Sequence, residues 1–233
     1  LAVLELLALQ EGPIRLSAIA EKLGLQKSTV HRILTSLSGL GYVQQDVNTG
    51  YYGVTLRLWE LGSSLIAQHP IKRAATPYMQ RLHESTRETV SLLILSGDDV
   101  LFLDKIISPR PIRFSSRVGS RAPAPLAAGG KALLAFEPEA RAIVRRTRER
   151  IKEKRRTSVE ALMEELKTIR SNGYAVSTFR PGAISFAAPI MGRDGRALAA
   201  VSVSAPESRI TKAKREEILD QLLSTCAELA EQL

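Results

Sequence analysis

Three short stretches of periodic apolar residues open the chain. Leu4, Leu6, Leu7 and Leu9 cluster ahead of Gly12-Pro13, which ends the first predicted helix. Residues 18–23 form a second, with Ser17 as its expected cap and Gly24 as its stop. A third runs over 27–37, where Val30, Ile33, Leu34 and Leu37 recur at three- and four-residue steps before Gly39 and Gly41. The period then shortens. Residues 42–45 and 51–54 are β-prone runs around Asn48-Thr49-Gly50, a hairpin signal.

The rest of the chain mixes both periods. Residues 55–84 read as mostly helical, with interruptions expected near His69-Pro70 and Thr76-Pro77. Strands are predicted over 90–95 and 100–107, joined through Gly97-Asp98-Asp99, and a proline-rich loop covers 108–130. Helices follow at 131–136, 137–148 and 158–171, the last with Thr157 and Glu160 at capping-box spacing. Strands return at 174–177, 184–191 and 197–204, and an amphipathic helix covers 210–233. Strands and helices alternate without a strict parallel βαβ rhythm, so the fold class is α+β. The expected division is 1–57 for a winged helix-turn-helix, 58–76 for a linker helix and 77–233 for a second domain.

Composition changes this picture only where charge is located. Apolar residues make up 44% and charged residues 24%, ordinary for a globular protein. No run of about 18 apolar residues is present to span a membrane. The opening Leu1-Ala2-Val3-Leu4-Glu5 reads as a helix already under way without an initiator Met, so further residues are expected before it. One cysteine, Cys226, excludes an internal disulfide and fits the cytoplasm. The net charge of +9 suggests an anionic partner. Residues 1–57, however, hold five basic against four acidic side chains, whereas 141–156 hold nine against two. That basic run reads either as a solvated helix face or as a surface for flanking DNA or an acidic neighbour.

The 17–34 segment carries the main chemical signal. Two helices crossing at a tight turn need a small residue at their contact, supplied by Ala20, and a turn residue tolerant of positive φ, supplied by Gly24. Ile19, Leu23, Leu25, Val30 and Ile33 fall where a shared core requires them. The other face of the third helix presents Lys27, Ser28, Thr29, His31, Arg32, Thr35 and Ser36, polar residues with no acid among them. Such a helix suits the major groove of double-stranded operator DNA, with Arg32 pairing bidentately to guanine and Lys27, Ser28 and Thr29 near phosphates. Any one of them also fits a plain solvated face.

In the second domain, Gly129-Gly130 leads into the expected helix start at Lys131, which suits either an anion or a turn that merely needs glycine. Ser202 and Ser204 alternate on one predicted strand and Ser185 lies on another, facing either a ligand or the core. Catalysis has little support. Cys226 sits on the helical stripe Ile218, Leu222, Cys226, Leu229, Leu233, and His31, His69 and His83 lack metal-ligand spacing. No P-loop, dinucleotide fingerprint or Gly-x-Ser-x-Gly occurs, and no cofactor or metal is expected. A sensor acting through protein partners after losing DNA binding is a third reading, opposed by the intact polar face.

The chain resembles the IclR family of bacterial regulators. The matching segments are Ala20-Glu-Lys-Leu-Gly-Leu, Lys27-Ser-Thr-Val-His-Arg-Ile-Leu, Gly41-Tyr-Val and Tyr52-Gly-Val. Further on come Ser108-Pro-Arg-Pro, Ser115-Ser-Arg-Val-Gly-Ser, Gly130-Lys-Ala-Leu-Leu-Ala, Gly173-Tyr-Ala-Val-Ser and Ala187-Ala-Pro-Ile. The resemblance spans essentially the whole chain. It implies a winged helix joined to a GAF-like effector-binding domain, acting as a homodimer or dimer of dimers. It also implies effector contacts from Ala128 and Gly129, from Ala183 and Ser185, and from Ser202 and Ser204. The sequence departs from the family where a cysteine is common at Ser185, an acidic pair near Ser177-Thr178 and a histidine near Pro125.

Overall fold

The computed structural model describes residues 1–113, 116–151 and 157–233, which divide into two units at Gln68/His69. In the first unit, α1 (Ala2–Leu9), α2 (Leu16–Leu23) and α3 (Lys27–Gly39) precede a hairpin of β1 (Val43–Gln45) and β2 (Tyr52–Val54). Val3, Leu7, Ile19, Ala20, Val30, Leu34, Val43 and Tyr52 form its core, one small cluster that draws on every element. Ile14 bridges Tyr52, so a third short extended segment lies beside the hairpin. Asp46 shapes the hairpin tip by accepting from the Asn48 and Thr49 amides at 3.0 and 2.7 Å. Helix α4 (Arg57–Ala67) closes the unit and buries none of its residues.

The second unit begins with α5 (Pro70–Thr86), which continues through Pro77 where the sequence suggested a break. A proline costs a helix one N–H and crowds the preceding turn. Here the helix is held by burial of Ala75, Tyr78, Met79 and Leu82 on one face. The expected linker is thus two helices, one in each unit.

Six antiparallel strands follow: β3 (Thr89–Ser96), β4 (Asp99–Ile106), β5 (Arg121–Pro123), β6 (Ala175–Ser177), β7 (Ala183–Met191) and β8 (Ala197–Pro206). They pair in the order β5-β4-β3-β8-β7-β6. Strand β5 lies inside the segment read as loop, too short to leave a period in the sequence. Helix α9 (Lys212–Glu231) joins α5 on one face of the sheet; α6 (Ala128–Leu134) covers the other, backed by α8 (Val159–Asn172). Ser158, not Thr157, caps α8, its hydroxyl accepting from the Ala161 amide at 3.1 Å.

Between them, α7 (Ala140–Arg150) fastens the β3–β4 turn. Arg146 grips Asp98 at 2.7 and 3.0 Å, and Arg150 reaches Asp99 at 3.1 Å. The guanidinium beside it holds the Asp98 carboxyl below the usual carboxylate range. Part of the basic run is therefore structural. Its residues 152–156, and Ser115 of the family-like segment, lie outside the described residues. Glu88, 1% exposed, accepts from Arg110 at 2.7 Å and from Arg209 at 3.1 Å, tying β3 to the segments after β4 and β8.

Candidate DNA-reading helix and effector pocket

The geometry of the reading helix follows from its core stripe. Val30 and Leu34 are buried and Ile33 and Leu37 partly so, which turns the opposite face outward. Lys27, Ser28, His31, Arg32, Thr35 and Ser36 are exposed there and Thr29 is half-buried. Gly24 takes φ +62° after α2, and the Leu25 amide closes on the Ala20 carbonyl at 2.9 Å. That left-handed turn sets α3 across α2. Among the described residues neither Lys27 nor Arg32 has a carboxylate partner. Both charges are open to an anion. Thr35 and Ser36 differ: their hydroxyls donate back to the His31 and Arg32 carbonyls at 3.0 and 3.1 Å. They remain acceptors while those bonds last.

In the second unit, all six residues expected to touch an effector line one cavity that opens to solvent. Strand register explains the convergence. Thr89, Ser204 and Ser185 lie side by side across β3, β8 and β7, and Ser91 and Ser202 form the next row. Leu93 pairs with Ala200 in the third row. The same sheet face therefore grades from hydroxyls to hydrocarbon. Ser185 and Ser204 share a hydrogen bond at 2.8 Å, and Thr89 accepts from the Ser108 amide at 3.1 Å. Ser177 also lines the cavity but donates to the Leu126 carbonyl at 2.7 Å. Among the described residues the lining includes no carboxylate and one charged side chain, Arg180, which donates to Ser116 at 3.2 Å.

The glycines also serve packing. Helix α6 begins at Ala128, so Gly129 and Gly130 lie in its first turn and not ahead of it. A Cβ on Gly129 would come within 2.9 Å of Leu93, and one on Gly130 would overlap the Ala124 carbonyl. Close packing of the helix on the loop requires glycine at 130, whereas at 129 the contact is a side chain that can give. The sequence reading also missed Thr89 and Ser91. Their signal was there: two hydroxyls at alternate positions of an otherwise apolar strand that was read from Val90 onward.

The comparisons agree with this geometry. A family model described as "Bacterial transcriptional regulator IclR C-terminal" matches residues 63–231, and "IclR helix-turn-helix domain" matches 1–47. The chain belongs to the IclR family. The HTH-type transcriptional regulator BhcR of Paracoccus denitrificans is 34% identical over 99% of this chain and 84% of its own length. Among solved IclR-type structures, a transcriptional regulator of Rhodococcus sp. RHA1 superposes with TM-score 0.82 at 27% identity, covering 100% of this chain and 95% of that one. An IclR homologue from Microbacterium hydrocarbonoxydans, complexed with 4-hydroxybenzoate, gives 0.80 at 26% identity and covers 100% and 97%. This IclR-family chain is thus a DNA-binding transcriptional regulator with a helix-turn-helix and an effector-binding domain.

Proposed function

We propose that α3 reads operator DNA through Lys27, Ser28, Thr29, His31, Arg32, Thr35 and Ser36, and that a small organic acid controls it. The acid binds against Ala128, Gly129, Ala183, Ser185, Ser202 and Ser204. One observation carries the effector reading: a cavity floored by hydroxyls, walled by Leu93, Phe102 and Phe179, and free of carboxylates among its described lining residues. Such a lining favours a small ligand that is part apolar and part hydrogen-bonding, and it does not repel an anion. The 4-hydroxybenzoate bound by the Microbacterium homologue is a ligand of this kind. To regulate, the ligand must bind one arrangement of the DNA-reading units better than another.

The protein acts as a homodimer or a dimer of dimers in the cytoplasm. Support for self-association comes from α4, which exposes Trp59 at 69%, Leu61 at 52% and Leu65 at 70%. Large apolar side chains left in water on one short helix favour pairing. Regulation and not catalysis is supported by Cys226, whose thiol burial pushes up to about 12, far from a working nucleophile. Among the described residues no helix is long and apolar enough to cross a membrane. The test is operator binding by fluorescence anisotropy during titration with a panel of organic acids. One of them should shift the affinity at least fivefold, and Ser202→Ala and Ala183→Met should blunt that response. A response unchanged in both variants puts the effector elsewhere.

A further inference from the structure

The hydroxyls on the cavity floor are not equivalent. Those of the first row already have partners within the protein: Ser185 with Ser204, and Thr89 with the Ser108 amide. Ser91 and Ser202, in the second row, have none among the described residues. Yet Ser91 is only 3% exposed and Ser202 5%, and both line the cavity. The surface they keep opens on the cavity, so their hydrogen bonds fall to whatever fills it. Directly opposed antiparallel residues bring their Cβ atoms to roughly 4.5–5.5 Å, so one ligand atom can meet both side chains.

We infer that the unpartnered Ser91–Ser202 pair receives an uncharged hydroxyl of the effector, which makes Ser91 a specificity-determining residue. This rests on the cavity's being the effector site. A hydroxyl fits because each serine both donates and accepts, and the ligand oxygen can then do the same. An ionised carboxylate is the poorer occupant of that row, since no cation lies among the floor residues to offset its desolvation. Arg180, exposed and hydrogen-bonded to Ser116, puts a positive charge on the same lining, which favours an acid there. Leu93 and Phe102 on the same lining offer apolar surface to its carbon skeleton. The effector class that results is a hydroxylated carboxylic acid, bound with its hydroxyl inward.

Calorimetry on the full chain tests this with two matched probe pairs, 4-hydroxybenzoate with benzoate and 3-hydroxybutyrate with butyrate. In at least one pair the hydroxylated member should bind about five- to tenfold more tightly, the worth of one neutral hydrogen bond. Ser91→Ala should abolish that preference while leaving the unhydroxylated member's affinity unchanged. The ligand-free variant should melt within about 3 °C of the wild type, because the hydroxyl removed has no protein partner. A preference that survives in Ser91→Ala, an equal loss for both members of a pair, or a variant that melts several degrees lower overturns this inference alone. If neither pair binds the wild-type protein at millimolar concentration, the effector reading falls and this inference with it.

Discussion

The first turn of α6 offers a test in which two neighbouring glycines should respond unequally. Ala is favoured over Gly inside a helix by about 1 kcal/mol, so with free space either substitution would stabilise the protein. Neither has free space. At Gly130 the new Cβ would overlap the Ala124 carbonyl, a backbone atom that no side-chain rotation can clear. Helix α6, which packs against β3, β7 and β8, would have to move as a body. Overpacking of this kind costs typically 1–3 kcal/mol, and a backbone collision belongs at the top of that range. At Gly129 the nearest atom is Leu93 Cδ1 at 2.9 Å, the far end of a side chain that can turn into the cavity. There the cost of repacking and the gain in helix propensity nearly cancel. In a unit of this size about 1 kcal/mol corresponds to roughly 2–4 °C. Calorimetric melting should therefore show Gly130→Ala lowered by about 6–12 °C and Gly129→Ala within about 3 °C of wild type. Equal shifts, or a larger one at Gly129, would refute the close-packing account of these glycines.

Three other outcomes follow from features on the page. Arg32→Ala should cost about 1–3 kcal/mol of preference for the cognate operator over random DNA, measured by competition anisotropy; an unchanged preference removes Arg32 from base contact. Light scattering at micromolar concentration should give at least a dimer, and Leu65→Glu should weaken it, whereas a monomeric wild type contradicts the role given to α4. Asp98→Asn should lower the melting temperature at neutral pH. Because the folded carboxyl is held below its unfolded value, its contribution is present above the unfolded pKa and is lost as pH falls through the folded one. The difference between variant and wild type should accordingly shrink below about pH 4, and a gap that stays constant there would sever it from the Arg146 contact.

Much of the fold was legible because its elements announce themselves locally. Val30, Ile33, Leu34 and Leu37 specify both the helix and its buried face, and Gly24 marks the turn before it. The unread parts depend on distant partners. Pro77 argues locally for a break, yet burial of its neighbours keeps α5 continuous. Gly129-Gly130 resembled a helix start, and only the third dimension reveals Leu93 and Ala124 pressed against them. In the cavity, alternation puts Ser202 and Ser204 on one face, and the family resemblance points that face at an effector. Ser91 needed the β3–β8 register, which no single strand contains.

Cys226 gives the molecule a built-in clock. It is the only cysteine in the chain, and in the folded state its thiol is titrated only near pH 12. Buried and held as the neutral thiol, Cys226 is alkylated only once α9 lifts from the sheet. A maleimide dye would record that opening in the second unit alone, because residues 1–68 carry no sulfhydryl to contribute signal. Labelling rates measured with and without a bound acid would report how firmly the ligand fastens the layers around it, without DNA in the cuvette.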